Sequence, residues 1–242
     1  MDLIKSIFFV FLILVSVFGK AQDTLTVMAY NILNYPSSNA SKADTLKPII
    51  QLVQPDIFMI TELTSFTGVS MIMNNALNVE GVTSYQNATY FNGPDTDNML
   101  FYNTDKLVLY SQYEIPTALR NISEYVLYYK TAGMTVATDT VFIYCYMAHL
   151  KASTGAINEQ KRNQEAILLK NYMDSRTDIE NVIFGGDFNF YSSLEPAHNT
   201  VLNGGSVTLL DPISSPGNWN NNSSFASIHT QSTRSNTLGD GG

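Results

Sequence analysis

Asn181-Val182-Ile183-Phe184-Gly185-Gly186-Asp187-Phe188-Asn189 is the stretch on which the reading of this chain depends. A short apolar run enters two glycines and then a carboxylate and an amide. The pattern predicts a buried strand over 181–187, with Ile183, Gly185, Asp187 and Asn189 along one face. The glycines let backbone or substrate approach closely. Taken alone, the stretch also fits a strand that leaves the core through ordinary turn residues.

Three other predicted strands end in the same way. Leu25 to Asn31 puts Leu25, Val27, Ala29 and Asn31 on one face, and Asp56 to Glu62 does so for Phe58, Ile60 and Glu62. Val141 to His149 aligns Val141, Ile143, Cys145, Met147 and His149. Each face is apolar or small until its C-terminal end, where Asn31, Glu62, His149, and Asp187 with Asn189 appear. Together the four ends supply two carboxylates, an imidazole and two amides. Phosphodiester hydrolysis uses such a set: a cation to neutralise phosphoryl charge, a carboxylate to align water, and donors for the non-bridging oxygens.

Helical spacing fills the intervals. Lys42 to Gln54 carries Leu46, Ile49, Ile50 and Val53 on one side and is stopped by Pro55, with Pro48 tolerated near its start. Val69 to Leu77 and Ala156 to Met173 read as further helices, the latter through Ile157, Ala166, Ile167 and Leu169. Asn98 to Tyr102 and Lys106 to Tyr110, separated by Asn103-Thr104-Asp105, predict a hairpin. Glu124 to Tyr129 and Met134 to Ala137 continue the β-rich middle. Strands and helices mixed in this order imply two packed sheets covered by helices. At 242 residues and 45% apolar, with no linker before residue 203, the chain reads as one domain.

Lys5, the unbroken apolar run from Ile7 to Val15 with its continuation through Ser16 to Phe18, and Gly19-Lys20-Ala21 predict a signal peptide over 1–21, leaving a domain over 22–242 and a secreted or periplasmic product. An uncleaved anchor is the other reading, and the run is short for one. Cys145 is the single cysteine, so no intramolecular disulfide forms and a zinc site is disfavoured. Its apolar neighbours predict a buried, inert thiol. Thirteen basic against 21 acidic residues give a net charge of −8, which repels a polyanion at long range. A nucleic-acid or phospholipid substrate therefore has to be held by local cations and bound metal.

The motifs Val-Met-Ala-Tyr-Asn-Ile (27–32), Gln-Pro-Asp-Ile-Phe-Met-Ile-Thr-Glu (54–62), Ala-His-Leu-Lys (148–151) and Gly-Gly-Asp-Phe-Asn (185–189) resemble, in order and spacing, those of the endonuclease/exonuclease/phosphatase, or DNase I-like, superfamily. Thr61 stands where that family more often has Gln. The resemblance implies an α/β (α+β) fold, a four-layer αββα sandwich of two packed mixed sheets flanked by helices, with the site at one rim. It implies that Glu62 holds Mg2+ assisted by Asn31, with Mn2+ or Ca2+ as other hard cations such oxygens accept. It further implies that His149 binds the scissile phosphate, Asp187 orients the attacking water, Asn189 stabilises the transition state, and Arg120 and Asn31 contact substrate.

The family's two closing motifs, a strand Asp and a Ser-Asp-His-like ending, do not occur. His198 and His229 read as ordinary loop or helix-end residues, and Asp211 as a strand-ending turn. Residues 213–242 read as a polar loop, and the expectation is a C-terminally truncated form of a longer protein whose last strands are missing. The expected function is an exported Mg2+-dependent phosphodiesterase, a nuclease on DNA or RNA. A lipid- or inositol-phosphate phosphodiesterase or phosphatase, and a non-catalytic exported binding domain, are the alternatives.

Overall fold

The computed structural model describes residues 24–130 and 140–228. The predicted signal peptide, the predicted strand at 134–137, and His229 lie outside the described residues. Among the described residues, eight strands form two four-stranded sheets. Strands β1 (Val27–Tyr35), β2 (Ile57–Leu63), β3 (Tyr85–Asn87) and β4 (Asp97–Asn103) make the first, in the order β1-β2-β4-β3. Strands β5 (Leu107–Ile115), β6 (Ile122–Tyr129), β7 (Phe142–His149) and β8 (Val182–Asp187) make the second, in sequence order. Each sheet is mixed: β1 with β2 and β7 with β8 are parallel, the other pairs antiparallel.

Helix α1 (Lys42–Val53) lays Ala43, Leu46 and Ile50 against the first sheet, an i, i+3, i+7 stripe, while Pro48 stands mid-helix on the exposed side. Gln54, in a left-handed conformation, closes it by donating to the Ile50 carbonyl. Helix α2 (Phe66–Ile72) runs into a π-helical turn over Met73–Leu77, so the helix predicted at 69–77 begins three residues earlier and changes pitch.

Helix α3 (Ala156–Asp174) covers the second sheet, with Ala166 and Leu169 of its apolar pattern buried and much of the rest of the buried side polar. Ile157, Ile167 and Leu168 are exposed, and the buried side is Arg162, Glu165, Ala166, Leu169, Lys170 and Met173. Polar contacts also hold the end of the helix. Glu124, buried on β6, accepts from Tyr146, Tyr172 and Arg176 at 2.6, 3.1 and 2.9 Å. These contacts dock the C-terminal end of α3 by hydrogen bonding as well as by apolar contact.

The predicted hairpin at 98–110 does not form. β4 lies in the first sheet between β2 and β3, so both its edges are occupied, and β5 begins the second sheet. The Asn103–Lys106 turn is a corner between sheets. It is pinned where Lys106 meets buried Asp56 at 2.9 Å and where the Thr26 amide donates to the same carboxylate. A turn signal reports a reversal and does not say which edge receives the next strand.

The inter-sheet core follows from strand alternation. Ile143, Cys145 and Met147 face the first sheet, while Tyr144, Tyr146 and Ala148 pack toward α3. Burial pushes the Cys145 thiol up to about 12, so it is an inert core group. β1 and β8 are the outer strands on the same side of the sandwich, with Gly185 against Ala29. β8 is therefore half-buried along its whole length, not the buried strand its composition predicts.

Between the sheets runs a polar bridge. The Asn98 amide donates to Ser123 Oγ, Asn121 O and Met147 O at 3.2, 3.1 and 3.1 Å, and Ser123 donates to Glu114 at 2.9 Å. Desolvation raises the Glu114 carboxyl from 4.5 to about 7. The folded protein thus binds this proton more tightly than the unfolded chain, and the associated stability, complete below the unfolded value, is lost as pH rises through about 7. Urea midpoints measured from about pH 5 to pH 8 are expected to fall more steeply for the wild type than for Glu114→Gln. Parallel profiles would refute this assignment.

Candidate active site

The predicted site residues converge where the inter-sheet core opens at one rim. Asn31 sits at the end of the regular part of β1, His149 ends β7 and Asp187 ends β8, with His149 and Asp187 paired in register. All three continue inward-facing rows, Ala29 to Asn31, Met147 to His149, and Gly185 to Asp187.

Glu62 arrives differently. Asn98 reaches Met147 on the other sheet, so Leu100 also faces inward and Met99 and Phe101 face the helices. Their partners Ile60 and Phe58 do the same, while Met59 points between the sheets at Gly185. Strict alternation would put Glu62 on the helix side. Instead Glu62 has φ 64, in a bulge of the β2–β4 pairing, and the left-handed turn brings its carboxylate to the rim. A left-handed Glu is strained, and such residues cluster at functional sites. Leu33 and Asn34, at φ 51 and 48, wrap the opposite side, and the Asn34 amide donates to Glu62 at 2.9 Å.

One amide holds the two carboxylates together. Asn31 Nδ2 donates to Glu62 Oε1 at 2.8 Å and to Asp187 Oδ2 at 2.9 Å. Its orientation is set from behind, because Asn31 Oδ1 accepts from the Leu33 amide at 2.8 Å. Asn31 therefore shows its donor side to the carboxylates and acts as a spacer between them. His149 Nε2 lies 3.9 Å from both Glu62 and Asp187, beyond hydrogen-bond length. Burial, and then the Arg120 guanidinium, hold the imidazole below its ordinary value against the pull of Asp187 and Glu62. Among the described residues, its buried Nδ1 has no hydrogen-bond partner.

Glu62, His149 and Asp187 each offer a ligand atom, all within 4.8 Å of one another. Among the described residues, no lysine or arginine pairs with either carboxylate. Two carboxylates without a basic partner, beside an imidazole held toward neutrality, form a donor set that suits a hard divalent cation.

Asn189, at φ 52, donates its backbone amide to Asp187 Oδ1 at 3.1 Å and its side-chain amide to the Leu150 carbonyl at 3.2 Å. It braces the loops beside the site and keeps one side-chain N–H free of that bond. Arg120 is turned inward. Its guanidinium donates to the His149 and Leu150 carbonyls at 3.2 and 3.3 Å and pairs with Asp95 at 3.0 Å. It thus reaches the backbone of β7, a support for the site that sequence reasoning placed on substrate.

His198 falls inside helix α4 (Pro196–Asn203), between the edges of Phe190 and Trp219, away from the carboxylates in aromatic surroundings. Asp211 accepts from the Ile213 amide in a tight turn. The residues sequence reasoning missed are Arg162, Glu165 and Glu195, buried behind the site. The signal available was two charges, Arg162 and Glu165, at spacings from Ala166 and Leu169 where a core stripe calls for apolar groups.

The Endonuclease/Exonuclease/phosphatase family model matches residues 28–235. No curated protein sequence matches the chain. Among solved structures, a humanized TDP2 of D. rerio aligns at 18% identity and TM-score 0.52, covering 70% of this chain and 64% of that one. A family protein from Bacteroides thetaiotaomicron aligns at 15% and 0.51, over 74% and 68%. A mannosyl-6-phosphatase from the same species aligns at 16% and 0.51, over 74% and 70%. At such identities the likeness speaks for the fold. The chain spans less than two thirds of the length of the D. rerio TDP2 structures it matches, 64% and 62%.

Gly186 makes the approach of β7 and β8 possible. Its φ is +135, and a Cβ there would sit 2.0 Å from the Ala148 carbonyl oxygen, which is backbone and has no rotamer to yield. Gly186→Ala is expected to cost roughly 2–4 kcal/mol, read as a fall in urea midpoint. An unchanged midpoint would mean the strands can part there.

Proposed function

The chain belongs to the endonuclease/exonuclease/phosphatase family, and from that premise we propose that it is an exported, divalent-metal-dependent phosphodiester hydrolase acting on nucleic acid strands. The observation that carries this reading is the meeting of Glu62, Asp187 and His149 within 4.8 Å at the mouth of the core, with Asn31 bonded to both carboxylates. Glu62 would hold the cation, Mg2+ by the hardness of the donors, and the bound cation would neutralise charge building on the phosphoryl oxygens. Mn2+ and Ca2+ suit the same oxygens.

The chain's own groups do the rest. Asn31 keeps the carboxylates at a set spacing and lets neither rotate freely. Asp187, steadied by the Asn189 amide, is the acceptor that aligns water against phosphorus. His149, buried and held toward its neutral form, presents an imidazole to a non-bridging oxygen. Asn189 offers its remaining amide hydrogen from the same rim and would stabilise the transition state. Arg120 acts on substrate through the backbone of His149, which it braces.

Support for a nucleic acid substrate comes from the fold's company: a D. rerio TDP2 of like fold has been crystallised with single-strand DNA product. Export rests on the basic and apolar pattern of residues 5–21, and no described helix is long and apolar enough to cross a membrane. A second reading, hydrolysis of a small phosphate ester such as a sugar or inositol phosphate, is favoured by the net charge of −8 and by the inward turn of Arg120.

Cleavage of plasmid and single-stranded DNA, with Mg2+ and with chelator, tests the reading against mannose 6-phosphate, inositol phosphates and sphingomyelin. Cleavage confined to the monoesters or the lipid overturns the nuclease reading, and no turnover of any substrate favours a binding domain. Asp187→Asn is expected to lower kcat by about 10²–10⁴ while the circular dichroism spectrum is kept. Glu62→Gln is expected to raise the Mg2+ concentration needed for half-maximal rate. Wild-type rates in Asp187→Asn, or an unshifted Mg2+ curve in Glu62→Gln, would remove the corresponding role.

A further inference from the structure

Behind the carboxylates lies a second polar cluster that the proposed chemistry does not use. Its centre is Arg162 on α3, 0% exposed and the largest fully buried side chain among the described residues. Arg162 Nε pairs with buried Glu195 at 2.7 Å. Arg162 Nη1 donates to the Lys151 and Ser153 carbonyls at 2.8 and 2.9 Å. The guanidinium also stands 5.3 Å from the centre of the Tyr191 ring, and Glu195 accepts from the Tyr191 amide at 2.8 Å. Among the described residues, the buried Nη2 has no hydrogen-bond partner.

What Arg162 joins is specific. Residues 150–155 are the loop leaving β7, directly after His149, and residues 188–195 are the loop leaving β8, directly after Asp187. Arg162 binds the first through two carbonyls and the second through Glu195. One turn further along α3, Glu165 accepts from the Lys151 amide at 2.9 Å, so Lys151 is held from α3 through both its N–H and its C=O. The two loops are tied again at their roots, where the Leu150 amide donates to Asp187 O and Asn189 donates to Leu150 O. A rigid helix thereby sets the spacing between the loops that follow His149 and Asp187.

A buried ion pair is a poor way to gain stability. Removing two charges from water costs about as much as their attraction returns, and an apolar pair of the same volume does as well. Here one guanidinium nitrogen also finds no hydrogen-bond partner among the described residues, which adds to the cost. What an arginine offers that an apolar residue cannot is a planar fork with fixed directions, able to hold two carbonyls and a carboxylate in one plane.

Resting on the hydrolase reading above, we propose that Arg162, with Glu195, is a positioning pair for catalysis: it sets the post-β7 and post-β8 loops so that His149, Asp187 and Asn189 meet the phosphoryl group in register. It touches no substrate and holds no metal. Its contribution falls on kcat, because displacing catalytic groups by a fraction of an ångström harms the reacting geometry more than it harms binding.

The test uses the full chain with Mg2+ and bis(p-nitrophenyl) phosphate, in three variants. Arg162→Lys keeps the charge and loses the fork, Glu195→Gln keeps the shape and loses the charge, and Arg162→Ala opens a cavity into which guanidinium ion can be added at non-denaturing concentration. Expected for Arg162→Lys and Glu195→Gln is a fall in kcat of about tenfold or more, with KM and the half-saturating Mg2+ concentration within about twofold of wild type. Guanidinium should recover kcat in Arg162→Ala and leave Arg162→Lys unaffected.

Amide hydrogen exchange is read in parallel. It should rise in 150–155 and 188–195 together, and stay unchanged in β6 and β7. If the wild type cleaves this ester and Arg162→Lys keeps its kcat, the positioning role is wrong while the hydrolase reading stands. If the wild type cleaves no phosphate ester, the hydrolase reading fails, and the positioning role is judged by exchange alone: loops that do not loosen together overturn it. A loss of rate that only follows loss of folded protein, or failure of all three variants to fold, makes the pair a fold determinant and also overturns the proposal.

Discussion

The site depends on one amide group bonded to two carboxylates from different sheets. Asn31 Nδ2 lies within 2.9 Å of both Glu62 and Asp187, so the spacing of the carboxylates is set by a single side chain whose own rotation is stopped by the Leu33 amide. Two carboxylates this close repel each other, and a neutral donor between them reduces that repulsion without removing the charge. The remaining negative charge is what makes the place suit a cation. Around this contact the backbone departs from ordinary geometry at Leu33, Asn34, Glu62, Gly186 and Asn189, all with positive φ. Such departures persist only where surrounding contacts over-determine them. The inter-sheet core and the hydrogen bonds to Asn34 and Leu150 are those contacts here.

Much of this was legible in the residues themselves. Strand alternation with polar ends singled out Asn31, His149 and Asp187, because these three continue inward rows and a period of two reaches them. Glu62 was found by the same rule, yet its place in the fold breaks the rule: its neighbours Phe58 and Ile60 face the helices, and a left-handed residue re-aims it. A bulge of this kind leaves no mark in hydrophobic periodicity. The corner at Asn103–Lys106 was misread for a related reason, since pairing depends on which strand edges are free, a property of the whole sheet. Helix α3 was found by length, and Ala166 and Leu169 of its apolar pattern are buried while Ile157 and Ile167 are not, because the rest of its buried side is Arg162, Glu165 and Lys170, which apolar patterning cannot register.

Electrostatics and geometry pull in different directions in this chain. The net charge of −8 works against a polyanion from afar, while the rim gathers groups suited to a phosphoryl centre. The most basic group near it, Arg120, is engaged with the His149 and Leu150 carbonyls and with Asp95. On the function proposed above, attraction for substrate would arise at short range, from a bound cation and from amide donors, and would weaken little with added salt compared with a protein that binds through lysines and arginines.

The corner between the sheets has a consequence for the order in which the molecule comes into being. Every strand of the first sheet precedes Lys106 and every strand of the second follows it. Asn31 and Glu62 thus belong to the early part of the chain, and His149 and Asp187 to the late part. A nascent chain emerging from the ribosome can pair β1 to β4 while it still lacks half the residues of the site. The cluster of Glu62, His149 and Asp187 is therefore incomplete until β8 has joined β7.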